Sequence, residues 1–377
     1  MRSSAPRTIP LQPVSAGPAL APWPAPVAPL TEGPVHDALR RPLRDVRISV
    51  TDRCNFRCDY CMPRAHFGHD HAFLPQPALL TFEEIHRAAR LLVTLGVRKI
   101  RLTGGEPLLR RGLDDLVDML SSLRTPNGLP VELALTTNGV LLSRMAQRLK
   151  AAGLHRITVS LDALSPELFR RMADADVEVA TVLAGIEAAQ AAGLGPVKVN
   201  MVVRRGLNDH EILPMARFFR GQGVELRFIE FMDVGHTNRW RLDEVLPSAE
   251  VRHIIHAAHP LSPVDPDAPS DTAQRWRYDD GQGAVGFISS VTQAFCGHCT
   301  RLRLSTEGRL YTCLFAREGR DLRQLLRDPH CSDADIERAL AALWAQRQDR
   351  YSETRRTDQP PERLVDGARP EMSYIGG

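Results

Sequence analysis

The stretch DVRISVTDRCNFRCDYC, residues 45–61, joins a short strand directly to three cysteines. In the strand, Val46, Ile48 and Val50 alternate with Arg47, Ser49 and Thr51. Successive side chains of a strand point to opposite faces, so one face is apolar and the other polar. Three further runs repeat the pattern. Ile100 and Leu102 alternate with Lys99, Arg101 and Thr103; Ile157, Val159 and Leu161 alternate with Thr158, Ser160 and Asp162; Val197, Val199 and Met201 alternate with Lys198 and Asn200. Parallel strands covered on both sides usually read as unbroken apolar runs. These strands instead have one face for helices and one for something wet or charged, because a buried, unpaired cation is costly.

Working outward, strands are expected at 45–51, 98–103, 131–136, 155–161, 197–203 and 224–230, with helices at 81–95, 112–124, 142–152, 178–193 and 209–220. Thr81 and Glu84 have the spacing of a capping box. Six strand–helix units imply a parallel sheet with right-handed crossovers, either doubly wound or a barrel. The shared strand parity favours an incomplete (β/α)6 TIM-like barrel with a charged lumen over an eight-stranded barrel with an apolar plug. Edge strands with one solvated face are the alternative.

The chain has 377 residues, a net charge of +3, 43% hydrophobic and 25% charged residues, which excludes wholesale disorder, a coiled coil and collagen. No apolar run is long enough for a transmembrane helix, and the small net charge argues against nucleic acid as a partner. Residues 1–34 hold nine of the 28 prolines, so 1–40 is expected to be a disordered extension. The partial barrel is expected over 41–265, and a C-terminal region that closes it over 266–377. Residues 258–275 have the composition of a linker. Strands at 275–279 and 284–289, a hairpin of 301–305 with 309–313, and helices near 321–327 and 333–347 follow.

Six of the seven cysteines fall in two trios: Cys54, Cys58, Cys61 and Cys296, Cys299, Cys313. Three thiolates do not complete a structural zinc site. They can hold three irons of a 4Fe–4S cluster and leave the fourth open to a small molecule. Zinc with a fourth ligand is the alternative at each trio, from His66, His69 or His71 at the first and from His298 or Cys331 at the second. In the hairpin Cys313 faces Arg301, beside Cys299. Cys331 is expected to be a free thiol near a helix start.

The cysteine loop together with Gly104-Gly105-Glu106-Pro107 resembles the radical S-adenosylmethionine (SAM) superfamily. With the second trio, Thr136-Thr-Asn-Gly139, Val159-Ser-Leu-Asp162, the 227–233 segment and the terminal Gly376-Gly377, the chain from about residue 41 onward resembles the GTP 3′,8-cyclase family of molybdenum-cofactor biosynthesis. The resemblance implies two 4Fe–4S clusters, SAM cleaved reductively to a 5′-deoxyadenosyl radical, and conversion of GTP to (8S)-3′,8-cyclo-7,8-dihydroguanosine 5′-triphosphate. It carries SAM contacts onto Tyr60, Gly105, Ser160, Asn200 and Met232. It carries GTP contacts onto Arg47, Arg101, Thr136, Lys198, Arg301 and Arg303, with Arg301 and Arg303 as catalytic residues and Lys99 and Arg227 as additions. It places the terminal glycines in the active site. A flavodoxin- or ferredoxin-type reductant, a downstream cyclic pyranopterin monophosphate synthase, a homodimer and a cytoplasmic location follow from it. The rival readings are a peptide-modifying radical SAM maturase with an auxiliary cluster and a zinc-stapled binding module without catalysis.

Overall fold

The computed structural model describes residues 20–25, 33–355 and 369–376. Six strands alternate with helices: β1 (Asp45–Ser49), β2 (Lys99–Thr103), β3 (Glu132–Thr137), β4 (Arg156–Ser160), β5 (Lys198–Val203) and β6 (Glu225–Glu230). Between and after them run α1 (Phe82–Thr94), α2 (Leu113–Ser121), α3 (Leu142–Ala151), α4 (Pro166–Ala173), α5 (Val179–Ala191), α6 (Ile212–Phe219) and α7 (Ser248–Ala258). The C-terminal region adds β7 (Leu261–Val264), β8 (Gln274–Tyr278), β9 (Ala284–Ile288), β10 (Arg301–Leu304), β11 (Arg309–Tyr311) and β12 (Arg320–Asp321). Its helices are α8 (Leu322–Arg327), α9 (Asp333–Ala345), α10 (Tyr351–Thr354) and α11 (Met372–Ile375).

All twelve strands form one sheet in the order β12-β11-β10-β1-β2-β3-β4-β5-β6-β9-β8-β7. The β1–β6 array is parallel throughout, as an incomplete barrel requires. The C-terminal region extends both edges of this array: β10 lies parallel to β1, and β9 parallel to β6. The order runs from β12 to β7 without closing, so the arc stays open. Among the described residues no helix is long and apolar enough to cross a membrane.

The alternation places the core. Val46, Ile48, Ile100, Leu102, Ile157, Val159, Val199 and Met201 are all buried in the main apolar cluster. Each such side chain stabilises the fold by about 1.5–3 kcal/mol. The capping box on α1 is present: Glu84 N donates to Thr81 Oγ1 (3.2 Å), and Thr81 N donates to Glu84 Oε2 (2.8 Å).

Three expectations need correction. The 258–275 segment is not a linker throughout, because Leu261–Val264 pairs antiparallel with β8. Pro263 is tolerated there because β7 is the edge strand, bonded on one side only. Helices α4 and α7 were not expected; each is entered through a proline, Pro166 or Pro247. The chain is also folded well before residue 41. Val35 N donates to Leu95 O (3.0 Å), Leu43 N donates to Val35 O (2.9 Å), and Ala21 N donates to Gly319 O (3.0 Å). The rest of the proline-rich extension, residues 1–19 and 26–32, lies outside the described residues.

Candidate active site

Strand register builds a row of cations. Arg47 of β1 stands between Arg303 of β10 and Arg101 of β2. Further round the arc, Thr136, Thr158 and Lys198 are register partners on β3, β4 and β5. Arg101 Nη1 donates to Thr136 Oγ1 (2.9 Å) and Thr158 Oγ1 (3.1 Å). Among the described residues no carboxylate forms an ion pair with Arg47, Arg101, Lys198, Arg301 or Arg303. Lys99 and Arg227 differ, since Lys99 pairs with Glu132 at 2.9 Å and Arg227 with Glu225 at 2.5 Å.

The electrostatics follow from this row. Burial, then the charges of Arg303, Arg101 and Arg301, holds Arg47 well below its usual range. Burial, then Arg301, brings Arg303 to about 10. Burial, then Arg227, brings Arg101 to about 10 and Lys198 to about 8. Like charges directly opposite on neighbouring strands destabilise a sheet. These positions therefore favour a polyanion, and they line a cavity of about 290 Å³.

The cysteine trios flank that cavity. Cys296, Cys299 and Cys313 are in its wall. Cys54, Cys58 and Cys61 line a neighbouring cavity of about 130 Å³, and Thr136 borders both. All six thiols are free. Burial pushes the Cys54 thiol up to about 11, with Glu106 adding to the effect, and raises Cys58 and Cys61 further. Burial pushes Cys313 to about 11 as well. At Cys299 burial is overcome by Arg301 and Arg347, which bring the thiol down to about 6. Their Nη2 atoms donate to its Sγ at 3.3 and 3.2 Å.

Three thiols at each place, with an adjoining cavity, are a donor set that suits a cluster with one open iron. Among the described residues no three His, Cys, Asp or Glu side chains gather tightly enough for a single ion; a cubane of four irons takes wider-set thiols. His66, His69 and His71 are not in the first cavity's wall, nor His298 and Cys331 in the second's. Cys331 precedes Ser332, the N-cap of α9.

Tyr60, Gly105 and Ser160 line the first cavity, while Asn200 and Met232 line the larger one. Asn200 Oδ1 is buried without a hydrogen-bond partner, a vacancy that suits a polar ligand. Tyr60 donates to the buried Asp162 Oδ2 (2.7 Å), and Asp162 Oδ1 accepts from Val202 N (2.8 Å). Burial raises the Asp162 carboxyl to about 6.

The two glycines after β2 act on the cysteine loop more than on a ligand. A Cβ on Gly105 would lie 2.3 Å from the Arg53 carbonyl oxygen. Gly105 N donates to Thr51 O (2.8 Å), and Glu106 N to Arg53 O (2.7 Å), so two loops are tied backbone to backbone. The buried Glu106 accepts from Leu108 N (3.0 Å), Thr137 Oγ1 (2.7 Å) and Asn138 N (2.7 Å). The tail also reaches the cation row. Arg47 Nη1 donates to Gly376 O (3.3 Å), and Arg303 Nη1 donates to Ile375 O (3.2 Å) and to Gly376 O. Gly376 has φ +69°, and a Cβ there would collide with Thr103 Oγ1. Gly377 lies outside the described residues.

Residues 48–219 match the Radical SAM superfamily and 224–353 match Molybdenum Cofactor Synthesis C. The GTP 3′,8-cyclase of Acidothermus cellulolyticus is 51% identical over 363 residues, covering 91% of this chain and 99% of that one. The chain belongs to the GTP 3′,8-cyclase family. The GTP 3′,8-cyclase of Xanthomonas campestris is 47% identical over 92% of this chain and 99% of its own length. Among solved structures, Streptococcus suis SuiB bound to S-adenosylmethionine aligns with a TM-score of 0.55 at 13% identity, over 77% of this chain and 67% of that one. That likeness concerns the fold. As a member of the GTP 3′,8-cyclase family the protein is a radical SAM enzyme, with a 4Fe–4S cluster and SAM as the superfamily's common equipment.

Several residues of the site escape the sequence reading. Arg347 touches Cys299, and Asp37 and Arg41 stand behind it. The i, i+4 spacing of Asp37 and Arg41 is the one available signal, and it straddles the expected boundary, with Asp37 in the extension and Arg41 at the start of the barrel. Thr158 is placed on the polar strand face by parity but carries no role in the sequence reading.

Proposed function

We propose that the protein converts GTP to (8S)-3′,8-cyclo-7,8-dihydroguanosine 5′-triphosphate, the first step of molybdenum-cofactor biosynthesis. The observation that carries this reading is the row Arg303–Arg47–Arg101, with Arg303 buried and the other two half-buried, unpaired by carboxylates among the described residues and flanked by two thiol trios. A triphosphate supplies the negative charge the row lacks, through charge-assisted hydrogen bonds from fixed guanidiniums. Arg47, Arg101 and Lys198 hold the phosphates, with Thr136 fixing the Arg101 guanidinium. Arg301 and Arg303 stand where β10 meets the second trio, and act on the reacting nucleotide by stabilising negative charge as it is reduced.

Cys54, Cys58 and Cys61 would hold one 4Fe–4S cluster, and Cys296, Cys299 and Cys313 a second. With SAM bound, the first group would supply the one-electron chemistry from which a radical at the ribose is generated. Tyr60, Gly105, Ser160, Asn200 and Met232 orient SAM. Tyr60 is held for this by Asp162, and the open Asn200 Oδ1 gives an acceptor. The chain's own work is positioning and exclusion of water. No general-base pair is needed, because a hydrogen atom and not a proton is transferred. An external flavodoxin- or ferredoxin-type protein delivers electrons, the product passes to cyclic pyranopterin monophosphate synthase, and the enzyme works in the cytoplasm as a homodimer.

The test is anaerobic incubation of reconstituted protein with SAM, reductant and GTP. Methionine and 5′-deoxyadenosine are expected to form in step with the cyclised nucleotide. SAM cleavage driven by a peptide and indifferent to GTP would overturn the reading.

A further inference from the structure

Asp37 lies just ahead of β1 with both carboxylate oxygens engaged. Oδ1 accepts from Leu39 N (2.9 Å) and Arg41 N (2.8 Å). Oδ2 accepts from Arg41 Nε (2.6 Å) and Arg347 Nη1 (3.2 Å). The three side chains are at most 2% exposed.

Each guanidinium then reaches on to the second cysteine group. Arg41 Nη1 donates to the carbonyl oxygens of Cys296 (2.8 Å) and Asp349 (2.8 Å). Arg347 Nη1 donates to the Cys299 carbonyl (2.7 Å), and Nη2 to Cys299 Sγ (3.2 Å). Its Nε donates to the carbonyl of Thr312 (2.9 Å), the residue before Cys313. Trp344 completes the packing, with its ring 4.6 Å from the Arg347 guanidinium and its Nε1 donating to Arg41 O (3.0 Å). One carboxylate thus fixes two planar cations, and the two cations grip all three segments that bear a thiol. Arg347, bonded through Nε, Nη1 and Nη2, has a single orientation and serves as a rigid spacer, and Arg41 is held through Nε and Nη1.

We propose that Asp37 is a positioning residue for the second thiol trio: by holding Arg41 and Arg347 it sets the spacing of Cys296, Cys299 and Cys313 before any iron arrives. The proposal rests on reading that trio as a cluster site. Loss of the carboxylate removes the ion pair of Arg41 and leaves Arg347 with Asp349 (Nε to Oδ2, 3.3 Å), so the two guanidiniums lose the anchor they share.

The test compares full-length protein with Asp37→Ala, and with Asp37→Asn, which keeps an acceptor oxygen without the charge. In metal-free protein, amide hydrogen exchange of 296–299 and 312–315 is expected to rise at least about tenfold in Asp37→Ala. Exchange of 54–61 is expected to stay at the wild-type rate, and Asp37→Asn to fall between. The second arm replaces the first trio by alanine and reconstitutes with iron and sulfide; chelator removal of iron is expected to be about 10–100-fold faster in Asp37→Ala. In chains with the second trio replaced instead, Asp37→Ala is expected to leave iron release unchanged. Unchanged exchange and release at the second trio would overturn the proposal, and so would equal loosening at both trios, which marks a general structural role. If the chain with Asp37 intact and only the second trio takes up no iron, the cluster reading fails, and the exchange arm alone then decides whether Asp37 positions the thiols.

Discussion

Arg47 is flanked by Arg303 and Arg101 in the sheet register, and its hydrogen bond within the protein goes to the Gly376 carbonyl. Its half-buried place among like charges favours binding over stability. Arg47→Ala is expected to weaken GTP binding about 10–100-fold, the loss of one charge-assisted contact of about 1.5–3 kcal/mol. Equilibrium dialysis checks this, with SAM binding unchanged. The metal-free variant is expected to melt no lower than wild type, because like-charge repulsion is relieved. Glu106 shows the opposite economy, a carboxylate buried to tie loops together. Burial lifts its carboxyl from 4.5 to about 7. The folded chain therefore binds that proton more tightly than the unfolded chain. The stabilisation is full below about pH 4.5 and is lost as pH rises through about 7. Glu106→Gln is expected to flatten this part of the melting-temperature profile of the metal-free protein; an unchanged slope would contradict it. At this scale the alternation of Arg47, Arg101 and Lys198 with apolar neighbours was legible directly, because strand parity is a property of adjacent residues. Arg347 was not, since an isolated arginine in a helical stretch carries no sign of what it touches.

At the scale of elements, β10 and the tail matter most. β10 is a short strand of the C-terminal region, yet parallel pairing with β1 delivers Arg303 beside Arg47. The tail is held by α11 against β1, with His236 Nδ1 paired to Glu371 Oε1 at 2.8 Å, and it presents the Gly376 carbonyl to Arg47 and Arg303 and the Ile375 carbonyl to Arg303. Deleting residues 370–377 is expected to keep the cooperative melt within a few degrees while reducing turnover to background, checked by calorimetry and by product analysis. A melt that falls with the activity would mean the tail is a structural strut. The six barrel strands were legible to within a residue or two because they fall between helical stretches and four of them show clear period-two alternation. β7 was not, because Pro263 argues against a strand unless the strand is known to lie at an edge.

For the whole molecule, the two edge extensions bring the second trio round to the same cavity as the cation row. Reconstituted protein is expected to hold about eight irons and eight sulfides, and about four of each after alanine replacement of either trio. Zinc in either place, measured by elemental analysis, would contradict the cluster reading there. The barrel class, the two thiol trios and the cations of the polar strand faces are legible without coordinates, because each is written in spacings of two to fourteen residues. Three-dimensional packing alone sets β10 beside β1, brings the tail carbonyls to Arg47 and Arg303, and lets Arg41 reach Asp349, 308 residues away. Such contacts depend on how sheet edges and chain ends are brought together, and local periodicity carries no record of that.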